Sequence, residues 1–239
     1  ADVMGVSVDD NERMVARVIC GGDKTNAKDK YYYQGIEDCK AAQMLSNGPK
    51  ACIFGCTGLG TCERVCPFDA IHVVNGVAVV DEEKCTACKK CIEACPKNII
   101  ELVPVSKEVR VLCKNIDKGK AVMEVCKVGC IGCQRCVKAC KFDAMTFENN
   151  LAKIDYSKCT NCMVCAEVCP TKTIYADFSK RKKAYINEDL CIGCTICKRA
   201  CEFDAIEGEL KEKHRVQEDK CTGCSQCAIK CPQNAIEMR

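Results

Sequence analysis

Five times in 239 residues this chain places cysteines at one fixed interval, Cys-x2-Cys-x2-Cys-x3-Cys. The runs are Cys85/Cys88/Cys91/Cys95, Cys130/Cys133/Cys136/Cys140, Cys159/Cys162/Cys165/Cys169, Cys191/Cys194/Cys197/Cys201 and Cys221/Cys224/Cys227/Cys231. A sixth, altered run occupies Cys52, Cys56, Cys62 and Cys66. Three thiols in one tight loop can hold three irons of a cubane [4Fe–4S] cluster. The fourth cysteine opens away from the loop and serves a neighbouring cluster. A chain so constrained folds around metal.

The 28 cysteines admit two other readings. Disulfide scaffolds belong to small secreted chains and do not repeat one metal-type interval five times. Structural zinc uses separated Cys-x2-Cys pairs, not threes with an offset fourth. Iron–sulfur clusters need a reducing compartment, which implies the cytosolic side. The formal charge of +3 counts thiols as neutral. Six four-thiolate clusters add about −12 and make the loaded protein acidic, so nucleic acid is not an expected partner. No run of 18 apolar residues is present to span a membrane. Because the chain opens at Ala1 and not Met, a partial or processed product is expected.

Pairing the runs by spacing gives three repeats. Cys66 to Cys85 and Cys140 to Cys159 are 19 residues apart, and Cys201 to Cys221 is 20. After the fourth cysteine come Pro67-Phe68-Asp69-Ala70-Ile71, Lys141-Phe142-Asp143-Ala144-Met145 and Glu202-Phe203-Asp204-Ala205-Ile206. Each half reads as strand, cluster loop, short helix, strand. The fold class is therefore α+β: three tandem two-cluster [4Fe–4S] ferredoxin-like domains with a short N-terminal extension. The expected divisions are 1–46 as extension and linker, then domains at 47–106, 107–181 and 182–239. Units this small bury too little apolar surface to be secure without metal.

The crosswise rule assigns five ligand sets. They are Cys85/Cys88/Cys91 with Cys66, Cys130/Cys133/Cys136 with Cys169, Cys159/Cys162/Cys165 with Cys140, Cys191/Cys194/Cys197 with Cys231, and Cys221/Cys224/Cys227 with Cys201. In the sixth, Leu59 stands where the middle cysteine belongs. Cys52 is the nearest replacement, giving Cys52/Cys56/Cys62 with Cys95. Cys20, Cys39 or a three-iron cluster remain alternatives. An older duplication aligns Arg17-Val18-Ile19-Cys20 with Arg110-Val111-Leu112-Cys113, and Cys52 with Cys126. The leftover Cys20, Cys39, Cys113 and Cys126 read as buried thiols, as further cluster ligands or as a redox disulfide.

Other signals are weaker. Cys126-x3-Cys130-x2-Cys133 matches a radical-SAM spacing without the barrel that chemistry needs. Gly55 to Gly60 is glycine-rich but lacks the strand and helix of a dinucleotide site. His72 and His214 read as surface residues. Lys180-Arg181-Lys182-Lys183 reads as a solvated linker or as a docking patch for an acidic partner.

Gly48 to Cys62, Asp117 to Lys120 and Gly129 to Cys133 resemble the B subunit of Rnf-type ferredoxin:NAD oxidoreductases, clostridial form. That resemblance covers nearly the whole chain. It implies a peripheral electron carrier at the cytoplasmic face of the cell membrane. Electrons would come from soluble ferredoxin and pass to other membrane and peripheral subunits that couple NAD+ reduction to Na+ or H+ movement. Catalytic residues and a substrate pocket are not expected, because hydride chemistry would lie in other subunits. Family members also carry an upstream membrane helix and cysteine cluster absent here.

Overall fold

This computed structural model describes residues 12–239. Residues 1–11 of the expected extension lie outside them. Three α+β units follow one another, each with an outer strand pair and an inner hairpin.

In the first unit β1 (Met14–Val18) and β4 (Ile100–Pro104) are antiparallel, with Val15 opposite Val103. Between them lie α1 (Cys39–Met44), α2 (Thr61–Arg64), the hairpin of β2 (Ile71–Val74) and β3 (Val77–Val80), and α3 (Lys90–Ala94). In the second, β5 (Arg110–Val111) pairs with β8 (Ile174–Tyr175). That pair frames α4 (Gly119–Val125), α5 (Arg135–Ala139), the hairpin β6 (Met145–Glu148) with β7 (Leu151–Ile154), and α6 (Val164–Glu167). In the third, β9 (Ala184–Ile186) pairs with β12 (Ile236–Met238) around α7 (Ile196–Ala200), the hairpin β10 (Ile206–Glu207) with β11 (Arg215–Val216), and α8 (Gln226–Ile229).

Segment 1–46 is thus more than a linker. Its β1 covers β4, and Val15 and Ala16 are buried in the first unit's core. Without β1 the Ile100–Pro104 edge would lie open. β1 and β5 occupy equivalent places, as the duplication of Arg17–Cys20 in Arg110–Cys113 predicts.

The cluster loops obey one backbone rule. Two residues after the first cysteine the chain is left-handed at Gly58, Ala87, Gly132, Asn161, Gly193 and Gly223. It is left-handed again just before each short helix, at Gly60, Lys89, Gln134, Met163, Thr195 and Ser225. These reversals curve each loop so that its cysteines line one cavity and its amides turn inward. Gly58 and Gly60 keep the rule in the altered run, so Leu59 changes a ligand position without changing the loop. Glycine is required at Gly58, where an added Cβ would lie 2.6 Å from the Gly76 carbonyl oxygen.

A third left-handed residue follows each fourth cysteine by three positions: Asp69, Asn98, Asp143, Lys172, Asp204 and Asn234. At three of the six it turns the next amide back onto sulfur. Ala70, Ala205 and Ala235 N–H donate to Cys66, Cys201 and Cys231 Sγ at 3.4, 3.3 and 3.4 Å. Asp and Asn recur here because they tolerate this conformation.

Each unit has its own core, and cysteines are part of it. Units 1 and 2 are joined at Glu82, which pairs with Arg17 at 3.0 Å and Arg110 at 3.2 Å. The Arg17 guanidinium is almost fully buried and also donates to the Lys107 carbonyl. A buried cation of this kind is tolerable because it is both paired and hydrogen-bonded.

Candidate iron–sulfur centres

The cysteines line cavities and do not crowd a point. Among the described residues, no three His, Cys, Asp or Glu side chains gather closely enough to hold a single metal ion.

In the third unit Cys191, Cys194, Cys197 and Cys231 line one cavity, and Cys201, Cys221, Cys224 and Cys227 line another. Their other walls are mainly apolar, including Ile186, Ile236, Val216 and Met238. The Cys221 thiol also accepts from Ala184 N–H at 3.5 Å. Four sulfurs, inward amides and a dry wall are what a cubane demands.

Electrostatics groups the remaining cysteines. Burial pushes the Cys91 thiol up to about 11, and Cys85, Cys88 and Cys66 add to the push. Burial raises Cys136 to about 11, with Cys130, Cys169 and Cys133 as its thiol neighbours. Cys165 is raised to about 12 by burial, then by Cys162, Cys159, Cys136 and Cys140. Each of these thiols thus sits among three or four others, and Cys136 lies close enough to Cys165 to be felt.

The altered run is grouped differently. The cavity beside Cys56, Cys62 and Cys95 is also lined by Cys39, while Cys52 lines a different cavity. Burial raises Cys62 to about 12, with Cys56, Cys39 and Cys95 adding to it. Local structure explains the placement. Asp38 caps α1 by accepting from Lys40 and Ala41 N–H, each at 2.9 Å. Its other oxygen accepts from Thr61 Oγ1 at 2.9 Å, and Cys39 N–H donates to that hydroxyl at 2.7 Å. Cys39 is thereby pinned beside α2, which carries Cys62. Sequence distance favoured Cys52; the signal for Cys39 is the Asp38 cap, which alignment to the cluster loops does not register.

His214, expected at the surface, is buried against the Cys191 cavity, with Nδ1 at 3.1 Å from the Glu212 carbonyl. An added Cβ at Gly208 would lie 2.7 Å from its ring, so glycine there makes the room. His72 is partly exposed between Glu63 and Asp69. The basic run is largely tied down. Lys180 pairs with Glu108 at 3.1 Å, Arg181 with Glu167 at 2.7 Å, and Lys183 donates to the Glu218 carbonyl at 2.6 Å.

Four-cysteine cavities on a repeated α+β frame define a polyferredoxin, a carrier of several [4Fe–4S] clusters. Models of 4Fe-4S dicluster domains match residues 44–110, 184–238 and the overlapping stretches 84–144, 129–173 and 158–205. The chain belongs to the 4Fe-4S dicluster domain family, and three tandem dicluster units imply about six clusters.

Among known proteins, it is 48% identical over 190 residues to the B subunit of the Na(+)-translocating ferredoxin:NAD(+) oxidoreductase complex of Acetobacterium woodii, covering 79% of this chain and 57% of that one. It is 46% identical to the B subunit of the proton-translocating ferredoxin:NAD(+) oxidoreductase complex of Clostridium ljungdahlii, over 74% of this chain and 63% of the relative. It is 42% identical to the B subunit of the ion-translocating oxidoreductase complex of Methanosarcina acetivorans, over 72% and 66%. The resemblance drawn from Gly48–Cys62 therefore holds, while the chain spans between 57% and 66% of these relatives' lengths. No helix among the described residues is long and apolar enough to cross a membrane.

Proposed function

We propose that this chain is the electron-transfer arm of a membrane complex. It takes electrons from reduced soluble ferredoxin and passes them, one at a time, to partner subunits that couple NAD+ reduction to Na+ or H+ translocation. Its place is peripheral, at the cytoplasmic face. The observation that carries the reading is the repeated four-cysteine cavity on a dicluster frame. Relatives that serve as B subunits in three ion-translocating complexes support the setting.

The ligand sets we propose are Cys85/Cys88/Cys91/Cys66, Cys130/Cys133/Cys136/Cys169, Cys159/Cys162/Cys165/Cys140, Cys191/Cys194/Cys197/Cys231 and Cys221/Cys224/Cys227/Cys201. The sixth is Cys39/Cys56/Cys62/Cys95, with Cys39 in place of Cys52. When bound, the clusters supply one-electron redox chemistry. The chain's own residues position them, exclude water and aim amides at sulfur.

The test is anaerobic mixing of the loaded chain with reduced ferredoxin. Rapid loss of visible cluster absorbance, without NAD+ reduction unless the other subunits are added, is expected. Unaided NAD+ reduction, or iron without matching sulfide, would sink the proposal.

A further inference from the structure

Six four-cysteine sets leave Cys20, Cys52, Cys113 and Cys126 among the 28 cysteines. These four line one cavity where units 1 and 2 meet. The site has two duplicated halves. Cys20 lies just beyond β1 and Cys113 just beyond β5, while Cys52 and Cys126 each stand four residues before the first cysteine of a cluster loop.

Backbone bonds stitch the halves together. Gly21 N–H donates to the Leu112 carbonyl at 3.0 Å, Lys28 N–H to Val125 at 3.0 Å, and Lys127 N–H to Asn26 at 2.8 Å. The sulfurs are treated like those of the other sets. Cys56 N–H donates to Cys20 Sγ at 3.4 Å and Asn115 N–H to Cys113 Sγ at 3.4 Å. The buried Asn115 side-chain amide donates to Cys52 Sγ at 3.5 Å.

Lys50 is the second, independent observation. It lines the same cavity at 6% exposure, and its ammonium donates to the Gly22 and Gly76 carbonyls at 2.6 and 3.2 Å. No carboxylate among the described residues pairs with it. A buried cation needs an anion. A four-thiolate cubane carries about −2 and supplies one.

We propose that Cys20, Cys52, Cys113 and Cys126 hold a seventh [4Fe–4S] cluster, an electron relay that joins the first and second ferredoxin units. The inference rests on the reading that the other six sets hold cubanes. Its neighbours suit a relay: Cys56 of the first unit touches Cys20 through its amide, and Cys130 of the second is close enough to Cys113 to be felt electrostatically. The step balances simply. A reduced neighbouring cluster loses one electron, the junction cluster passes from the 2+ to the 1+ core, and the same electron then leaves to the other neighbour. No bond forms or breaks, and no proton moves.

Native mass spectrometry of the anaerobically loaded chain, with iron and sulfide analysis, tests this. Seven clusters and about 28 iron per chain are expected, against six and about 24 in the double variant Cys20→Ala/Cys126→Ala. Mössbauer spectra of the variant should lose one-seventh of the cubane signal. Six clusters in the unmodified chain would overturn the inference and leave the six-cluster reading standing; so would seven in the variant, or a disulfide among the four thiols of the loaded chain. A chain that takes up no cubane would sink both. If the variant does not load at all, the count in the unmodified chain decides alone.

Discussion

At the scale of single residues, left-handed backbone and thiol placement govern the molecule. Gly58 and Ala87 occupy the same loop position with φ of 78° and 57°. A Cβ is tolerated at Ala87 but would meet the Gly76 carbonyl at Gly58. Gly58→Ala should therefore destabilise the loaded first unit by more than about 2 kcal/mol, strain and clash combined. Ala87→Gly should be nearly neutral. Half-lives of cluster absorbance in denaturant would read both, and equal effects would contradict the account. Cys39 gives a second prediction. Cys39→Ser should degrade the altered site, with a three-iron EPR signal in oxidised protein, whereas Cys52→Ser should leave that site's spectrum intact. The reverse pattern would restore the assignment that sequence distance favours. The grouping of cysteines around shared cavities was legible wherever the interval is regular, because the loop geometry is local and repeats. Cys39 was not, because its position depends on the Asp38–Thr61 hydrogen bond, a contact between segments.

At the scale of elements, the units differ in what separates the first strand from the first cluster loop. β9 ends five residues before Cys191, whereas β1 and Cys56 are separated by a long segment containing α1, and β5 and Cys130 by one containing α4. The cysteines outside the ordinary sets sit in those insertions. The hairpins could be read from the repeated filling after each fourth cysteine, and the short helix of each cluster loop from the cysteine interval; α1 and α4 could not. The partner of β4 could not, since Met14–Val18 lies more than 80 residues away and its apolar residues match no local period. The strand is nonetheless integral. Val15 is fully buried. Val15→Ala should cost about 2 kcal/mol, toward the low end for core truncations. Faster loss of first-unit clusters under mild denaturant, with the third unit's unaffected, would be the sign. A uniform loss across all units would show that β1 does not belong to the first unit alone.

At the scale of the whole molecule, the metal supplies what small apolar cores do not. Chelated apo protein should lose its tertiary structure in far- and near-UV circular dichroism; a cooperative native-like melt would refute this. The thiols give the pH dependence its sign. Burial raises Cys62, Cys113, Cys165 and Cys227 to about 12, so they are protonated at neutral pH before loading. Clusters bind thiolates, so loading releases protons, and cluster retention against a chelator should weaken as pH falls. Any compact apo state shows the opposite trend. Its raised thiols favour folding below the ordinary thiol value near about 8.5, and that contribution disappears as pH climbs toward 12. Retention that improves on acidification would contradict the first trend. The hydrogen bonds that tie Gly21 and Asn26 to Leu112 and Lys127 also set a timetable for synthesis. The start of the chain must wait on the ribosome for a partner about a hundred residues downstream. At roughly 5–20 residues per second that wait is several seconds or more. Through that interval Cys20 and Cys52 stand exposed to oxidants and stray metals, so the first two units should mature as one cohort and the third on its own.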